Sequence, residues 1–201
     1  MRSAAMRSCM KRSETGDVRA PRESGTGLTG PILALACFLA VGVSAAETTS
    51  VADELAGVPP ALAETLQTAR AETVQKVLEA KTPLERSSAW GRLAMLYHAQ
   101  RLRELARDTY SEALRAADLT EWRYLRGIAR SELGDIEGSI RDFLQVTELD
   151  PKDPAAWYRL GLARWLSGDV AAGREALEQA LTLTPEAAVV MAALSDVVAA
   201  E

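Results

Sequence analysis

Between residues 87 and 187 apolar positions recur at helical spacing in paired segments of about a dozen residues, and the pairs themselves recur. Gly127, Gly134, Asp135 and Pro151 are matched by Gly161, Gly168, Asp169 and Pro185, each 34 residues further on. Two amphipathic segments joined through Gly-Asp predict a helix hairpin. The glycine takes the left-handed conformation that ends one helix, and the aspartate accepts hydrogen bonds from the free N–H groups that begin the next. Asp153-Pro154 and Thr184-Pro185 read as an N-cap followed by proline at the first helical position. Three such hairpins are predicted, over about residues 87–119, 120–153 and 154–187, which makes the chain all-α.

The flanks fit a stack of hairpins. Residues 59–82 read as a helix opened by Pro60, with Leu62, Leu66, Ala69, Thr73 and Val77 along one face, a cap for the first hairpin. Residues 186–201 read as a closing helix that turns Val190, Leu194 and Val197/Val198 inward. Val189 and Ala193 fall on its other face, an apolar surface suited to a homodimer. Residues 46–58, rich in Thr, Ser, Gly and Ala, are expected to be a flexible tether.

The repeats resemble the tetratricopeptide repeat family, whose pattern is W-x2-L-G-x2-Y, then A-x3-F, A and P over about 34 residues. "WYRLGLAR" supplies Trp157, Leu160, Gly161 and Arg164, followed by Gly173, Leu177, Ala180 and Pro185. "WGRLAMLY" supplies Trp90, Leu93, Ala94 and Tyr97, then Ala106, Tyr110 and Ala113. The middle copy keeps Gly127, Ser139, Phe143, Val146 and Pro151. Its Trp122 and Leu125 stand one residue early, leaving Arg123 and Arg126 in the motif positions. The resemblance implies a right-handed superhelix of about three stacked hairpins, with small residues (Ala94, Gly127, Gly161; Ala106, Ser139, Gly173) at the close approaches and Tyr110, Phe143 and Leu177 filling between them. The first copy is one residue short, and Arg101 stands where its turn would have Gly. An Arg in the left-handed region costs about 1 to 2 kcal/mol, so that turn is expected to take another shape.

Composition changes the picture at the N-terminus. Residues 1–45 carry six Lys/Arg against three acids, then the uncharged run "PILALACFLAVGV" from Pro31 to Val43 and the small-residue stretch "SAAE". This is the three-part pattern of a secretory signal, cleaved after Ala45 or Ala46, with retention as an uncleaved anchor as the alternative. The rest of the chain is expected to be exported, to the periplasm or cell envelope, with the membrane touched only through this segment. From residue 46 onward 17 basic and 25 acidic residues leave a charge of −8, a surface that repels phosphate backbones and argues against nucleic acid as partner. Cys9 and Cys37 both precede the cleavage sites, and His98 is the one histidine of the chain. The exported portion therefore has no cysteine nucleophile, disulfide or zinc site of ordinary ligand type, and neither metal nor cofactor is expected.

No convergent nucleophile, acid and base constellation is legible, so no catalytic residue is assigned. Asp108, Glu112, Glu175 and Glu178 lie beside Arg107, Arg115 and Arg174 as solvated ion pairs. In the family, the first helices of the hairpins line a concave groove that takes up an extended peptide or a helix. By register that lining includes Arg92, Met95 and His98 from the first copy and Tyr124, Ile128 and Ser131 from the second. The third supplies Tyr158, Arg159, Leu162 and Trp165. Aromatic rings interleaved with Arg have the composition of a protein-binding hot spot. The Lys/Asn pattern of repeats that bind chaperone tails is absent. The expectation is thus a non-catalytic adaptor of a Gram-negative envelope, holding a protein or peptide in the groove. The alternative is a structural subunit that self-associates through the closing helix.

Overall fold

A computed structural model describes residues 55–199. The expected signal or anchor at residues 1–45 and the tether from 46 to 54 lie outside the described residues. Eight helices and no strand occur among the described residues: α1 (Pro60–Glu79), α2 (Pro83–Ala99), α3 (Arg103–Ala116), α4 (Thr120–Glu132), α5 (Ile136–Leu149), α6 (Pro154–Leu166), α7 (Val170–Leu183) and α8 (Ala188–Ala199). Hairpins α2–α3, α4–α5 and α6–α7 pack one on the next, with α1 and α8 against the two ends.

Local chemistry sets these boundaries. The α2 helix begins at Pro83, four residues before the expected start, because Thr82 and Glu85 form a reciprocal capping box: Thr82 Oγ1 accepts from the Glu85 N–H at 3.1 Å, and Glu85 accepts from the Thr82 N–H at 3.1 Å. The α5, α6 and α7 helices open on Asp135, Asp153 and Asp169, whose carboxylates accept from the backbone N–H groups of Gly138, Ala155 and Ala172. Thr184-Pro185 does not open a helix, contrary to the N-cap reading. Like Asp150 and Pro151, these residues sit in a four-residue linker, 184–187, and α8 starts only at Ala188. The equivalent linker between α3 and α4 has three residues, 117–119, which locates the residue missing from the first copy.

The turns inside the hairpins share one geometry. Gly134 and Gly168 have φ of +80° and +90°, and their N–H groups donate to Ser131 and Trp165, while the following Asp N–H groups reach back to Arg130 and Arg164. The first turn repeats this pattern instead of taking another shape. Arg101 has φ +62°, its N–H donates to His98, and the Leu102 N–H reaches Tyr97 at 3.0 Å. The closing hydrogen bonds and the packing of both helices hold Arg101 in the left-handed region against its intrinsic cost.

Packing follows the repeat. Tyr110, Phe143 and Leu177 are fully buried between the helices, as are Ala94, Ala106 and Ser139. A Cβ on Gly127 would fall 2.7 Å from the Phe143 ring and one on Gly161 2.7 Å from Leu177 Cγ, so these positions are small because a neighbour occupies the space. The end of the expected tether is not free chain: Leu55 is buried in the first core with Val58 packed beside it. On α8 the buried stripe is Val190, Ala193 and Val197, spaced three and four residues apart. This moves Ala193 to the inner face and leaves Val189 and Val198 exposed.

Hairpin two has an ionic interior. Its α4 stripe Arg123, Arg126 and Arg130 faces Asp142 of α5, which is 1% exposed. Arg126 makes a two-pronged contact with the carboxylate at 2.6 and 2.9 Å, and Arg130 adds a third bond at 2.9 Å. Burial lowers the pKa of the Arg130 guanidinium, and the Asp142 charge works against that. Asp118 and Asp135 contact the outer sides of Arg123 and Arg130. Trp122, displaced from its motif position, turns instead into the first hairpin.

Candidate protein-binding face

The first helices of the hairpins, α2, α4 and α6, place the register-predicted groove residues in series. Arg92 and Met95 are exposed on α2. Arg92 lies at the edge of an open cleft of about 490 Å³ between α1 and α2, lined also by Lys76, Glu79, Leu84 and Ser88.

His98 is half-buried and engaged on both ring nitrogens. Its Nε2 lies 3.3 Å from Glu132 Oε2 and its Nδ1 3.5 Å from the Tyr110 hydroxyl, with the two rings edge to face. A carboxylate facing Nε2 puts the proton of the neutral ring there, so Nδ1 accepts from Tyr110. Burial, aided by the Glu121 charge, pushes the Tyr110 phenol well above its ordinary range, so it remains a donor. Arg103 Nε donates to the same Glu132 oxygen at 2.7 Å. Burial would raise the Glu132 pKa, but the hydrogen bonds from Arg103 and His98, with the Arg103 charge, outweigh it and hold the carboxyl below its usual range. His98 is therefore tied into the contact between hairpins one and two.

Tyr124 stands edge to face against Phe143 at 5.8 Å, and Ile128 packs beside it on the cluster formed by Phe143, Leu160, Ala163 and Ala176. Ser131 is half-buried three residues further along, in α4's last turn. On α6, Tyr158, Leu162 and Trp165 are half-buried against the cluster that α8 completes with Val190, Ala193 and Val197. The Arg159 guanidinium lies 6.0 Å from the Tyr158 ring centroid, within reach of a cation–π contact. These rings thus pack against the neighbouring element and still offer an edge to solvent.

Two features escaped the sequence reading. One is the Arg/Asp142 network, signalled by Arg at 123, 126 and 130, the i, i+3, i+7 spacing of a single stripe. The other is the seat of Trp122 on Gly91, where hairpins two and three have Tyr124 and Tyr158. Of the four surface acids expected to pair, Asp108, Glu112 and Glu178 do so, with Arg107, Arg115 and Arg174. Among the described residues no group of three or more His, Cys, Asp or Glu is placed to hold a metal, and no helix is long and apolar enough to cross a membrane.

Comparison with known proteins agrees with this geometry. The tetratricopeptide repeat family profile matches residues 124–188. The fold is similar to the first repeat domain of Spaghetti (RPAP3) bound to an HSP90 peptide, with a TM-score of 0.56 and 19% identity over 58% of this chain and 94% of that one. It is also similar to the second domain of human RPAP3 in complex with an HSP70 peptide, with a TM-score of 0.55 and 21% identity over 57% and 97%. The Sgt2 domain from Aspergillus fumigatus gives a TM-score of 0.53 and 27% identity over 58% and 79%. No curated protein matches the chain in sequence. The all-α stack of helix hairpins has the tetratricopeptide repeat fold.

Proposed function

We propose that this chain is a non-catalytic adaptor of the cell envelope that holds a protein segment on the face formed by α2, α4 and α6. The observation that carries the reading is the series Tyr124, Ile128, Tyr158, Leu162 and Trp165, half-buried apolar side chains on successive first helices, with Arg159 beside them. Such rings lose little conformational entropy on binding and, with Arg, are the usual anchors of protein interfaces. The RPAP3 domains carry peptides on the same fold, which supports a peptide or helix as ligand class. Their HSP tails are not carried over, because the Lys/Asn pattern that holds such tails is missing here. The envelope setting rests on the basic, apolar and small-residue order of residues 1–45.

The test is a pull-down from envelope extract with wild type, Arg159→Glu and Tyr158→Ala/Trp165→Ala, each shown to be folded by circular dichroism. Arg159→Glu separates binding from packing, since its charge is at the surface of α6 whereas the two rings also support α8. Loss of the same partners from both variants supports the face. Retention by both, with loss on deleting residues 186–201, favours the second reading, a self-associating subunit. That reading is motivated by Val189, Met191 and Val198, which stand 59%, 46% and 52% exposed on α8.

A further inference from the structure

The α8 helix keeps the 34-residue register of the hairpins. Val190 and Val197 follow Ala156 and Ala163 at that interval, and all four are buried. Met191, Leu194, Ser195 and Val198 likewise follow Trp157, Leu160, Gly161 and Arg164. By position α8 is the first helix of a fourth hairpin, and among the described residues no second helix covers it.

Hairpin three shows what a second helix does. A Cβ on Gly161 would fall 2.7 Å from Leu177 Cγ and 2.9 Å from the Gly173 carbonyl oxygen, Leu160 clusters with Ala176, and Arg164 donates to the Ala172 carbonyl at 3.5 Å, so α7 covers this side of α6. The same side of α8 is open. Met191 and Val198 are 46% and 52% exposed, Ser195 is exposed, and Leu194 is half-buried at the edge of the cluster that includes Leu177 and Val197. Spaced i, i+3, i+4 and i+7, the four residues form one uncharged stripe with a small residue at its centre. Val189 and Asp196, the one charged residue of α8, follow Ala155 and Leu162 in the register and turn to the groove side instead.

We infer that this stripe pairs with the same stripe of a second copy, α8 antiparallel to α8 about a two-fold axis between Leu194 and Ser195. A two-fold contact has to be complementary to itself, and this one is. Met191 of each copy meets Val198 of the other, and Leu194 of each lies over Ser195 of the other, the relation that Leu177 has to Gly161 within hairpin three. No like charges oppose one another, although 25% of the chain is charged. Because Leu194 already packs on the core of hairpin three, the pairing continues that core from one copy into the other. Ala193 is buried beneath α8 and takes no part. If the α2, α4 and α6 face holds a protein segment, as proposed above, the dimer presents two such faces and binds a two-segment partner with the advantage of linkage. The pairing itself does not rest on that reading.

Sedimentation velocity of the full chain over about 1 to 100 µM, the range in which small interfaces associate, tests it without any partner present. Wild type should show a monomer–dimer equilibrium. Val198→Glu should weaken it at least tenfold, and Val189→Glu should leave it unchanged; both positions are exposed, and circular dichroism checks that both variants are folded. Cross-linking reads the direction of the helices, in chains carrying Cys9→Ser and Cys37→Ser. Under mild oxidation Met191→Cys should form a disulfide with a differently tagged Val198→Cys chain, and neither should couple to its own kind, since seven residues of helix separate the like positions by about 10 Å along the axis. A monomer at every concentration, a dimer that survives Val198→Glu or is lost equally in Val189→Glu, or coupling of like positions would each overturn the pairing.

Discussion

The indole of Trp122 occupies the space a side chain at Gly91 would need: a Cβ there would fall 2.3 Å from ring atom Cε2. Position 91 corresponds to Tyr124 and Tyr158, so in the first hairpin the groove-side ring is replaced by a glycine and a ring from the next repeat. Gly91→Val should destabilise the domain by about 1 to 3 kcal/mol through overpacking, read from a urea or thermal melt. An unchanged midpoint would mean that Trp122 has another seat.

Asp142 is the common counter-charge of Arg123, Arg126 and Arg130. Asp142→Ala should cost about 3 to 5 kcal/mol, because it strands buried guanidinium groups. Adding Arg126→Leu reproduces the Leu160 and Ala176 pair of hairpin three and should recover at least half of the loss. If the double variant is no more stable than the single one in denaturant titration, the network is not the source of the cost.

Arg101 keeps a left-handed turn that glycine serves in the other two hairpins. Arg101→Gly should raise stability by about 0.5 to 1 kcal/mol, the relief of the left-handed strain less the entropy that glycine adds to the unfolded chain. A lower melting temperature for the variant would show that the Arg side chain stabilises the turn in some other way.

Glu132 has a folded-state pKa below its usual range, held there by Arg103 and His98 against the effect of burial. A lowered carboxylate pKa contributes stability that is complete above the unfolded value, near 4.3, and is lost as pH falls through the folded one. The melting-temperature gap between wild type and Glu132→Gln should therefore hold at pH values above the unfolded pKa and shrink progressively as the pH falls below it. A gap that does not shrink on acidification would contradict the ion-pair account.

Legibility in the sequence followed local chemistry. The 34-residue punctuation led to the three hairpins because Gly134, Gly168, Asp135 and Asp169 act within a few residues of themselves. Arg101 was misjudged because propensity was weighed alone, whereas the packing of two helices fixed its φ. Thr184-Pro185 misled for a related reason: Thr-Pro suits a linker as well as a helix start, and the match of Pro185 to Pro151 favoured the linker. The partnership of Trp122 with Gly91 joins residues on different hairpins, and no spacing rule on one helix reveals it. The same is true of His98 and Glu132, which are 34 residues apart and meet side by side on α2 and α4.

Site-specific photo-cross-linking in cells tests most directly whether the α2, α4 and α6 face holds a protein segment. A benzophenone amino acid at Leu162, on the proposed face, should give a discrete adduct that Arg159→Glu diminishes by about tenfold, in line with the loss of one interface anchor of about 1.4 kcal/mol or more. The same probe at Glu175, exposed on the second helix of that hairpin, should give none. An adduct from Glu175 or from Val189 with none from Leu162 would contradict the account and move the contact to another surface of the stack.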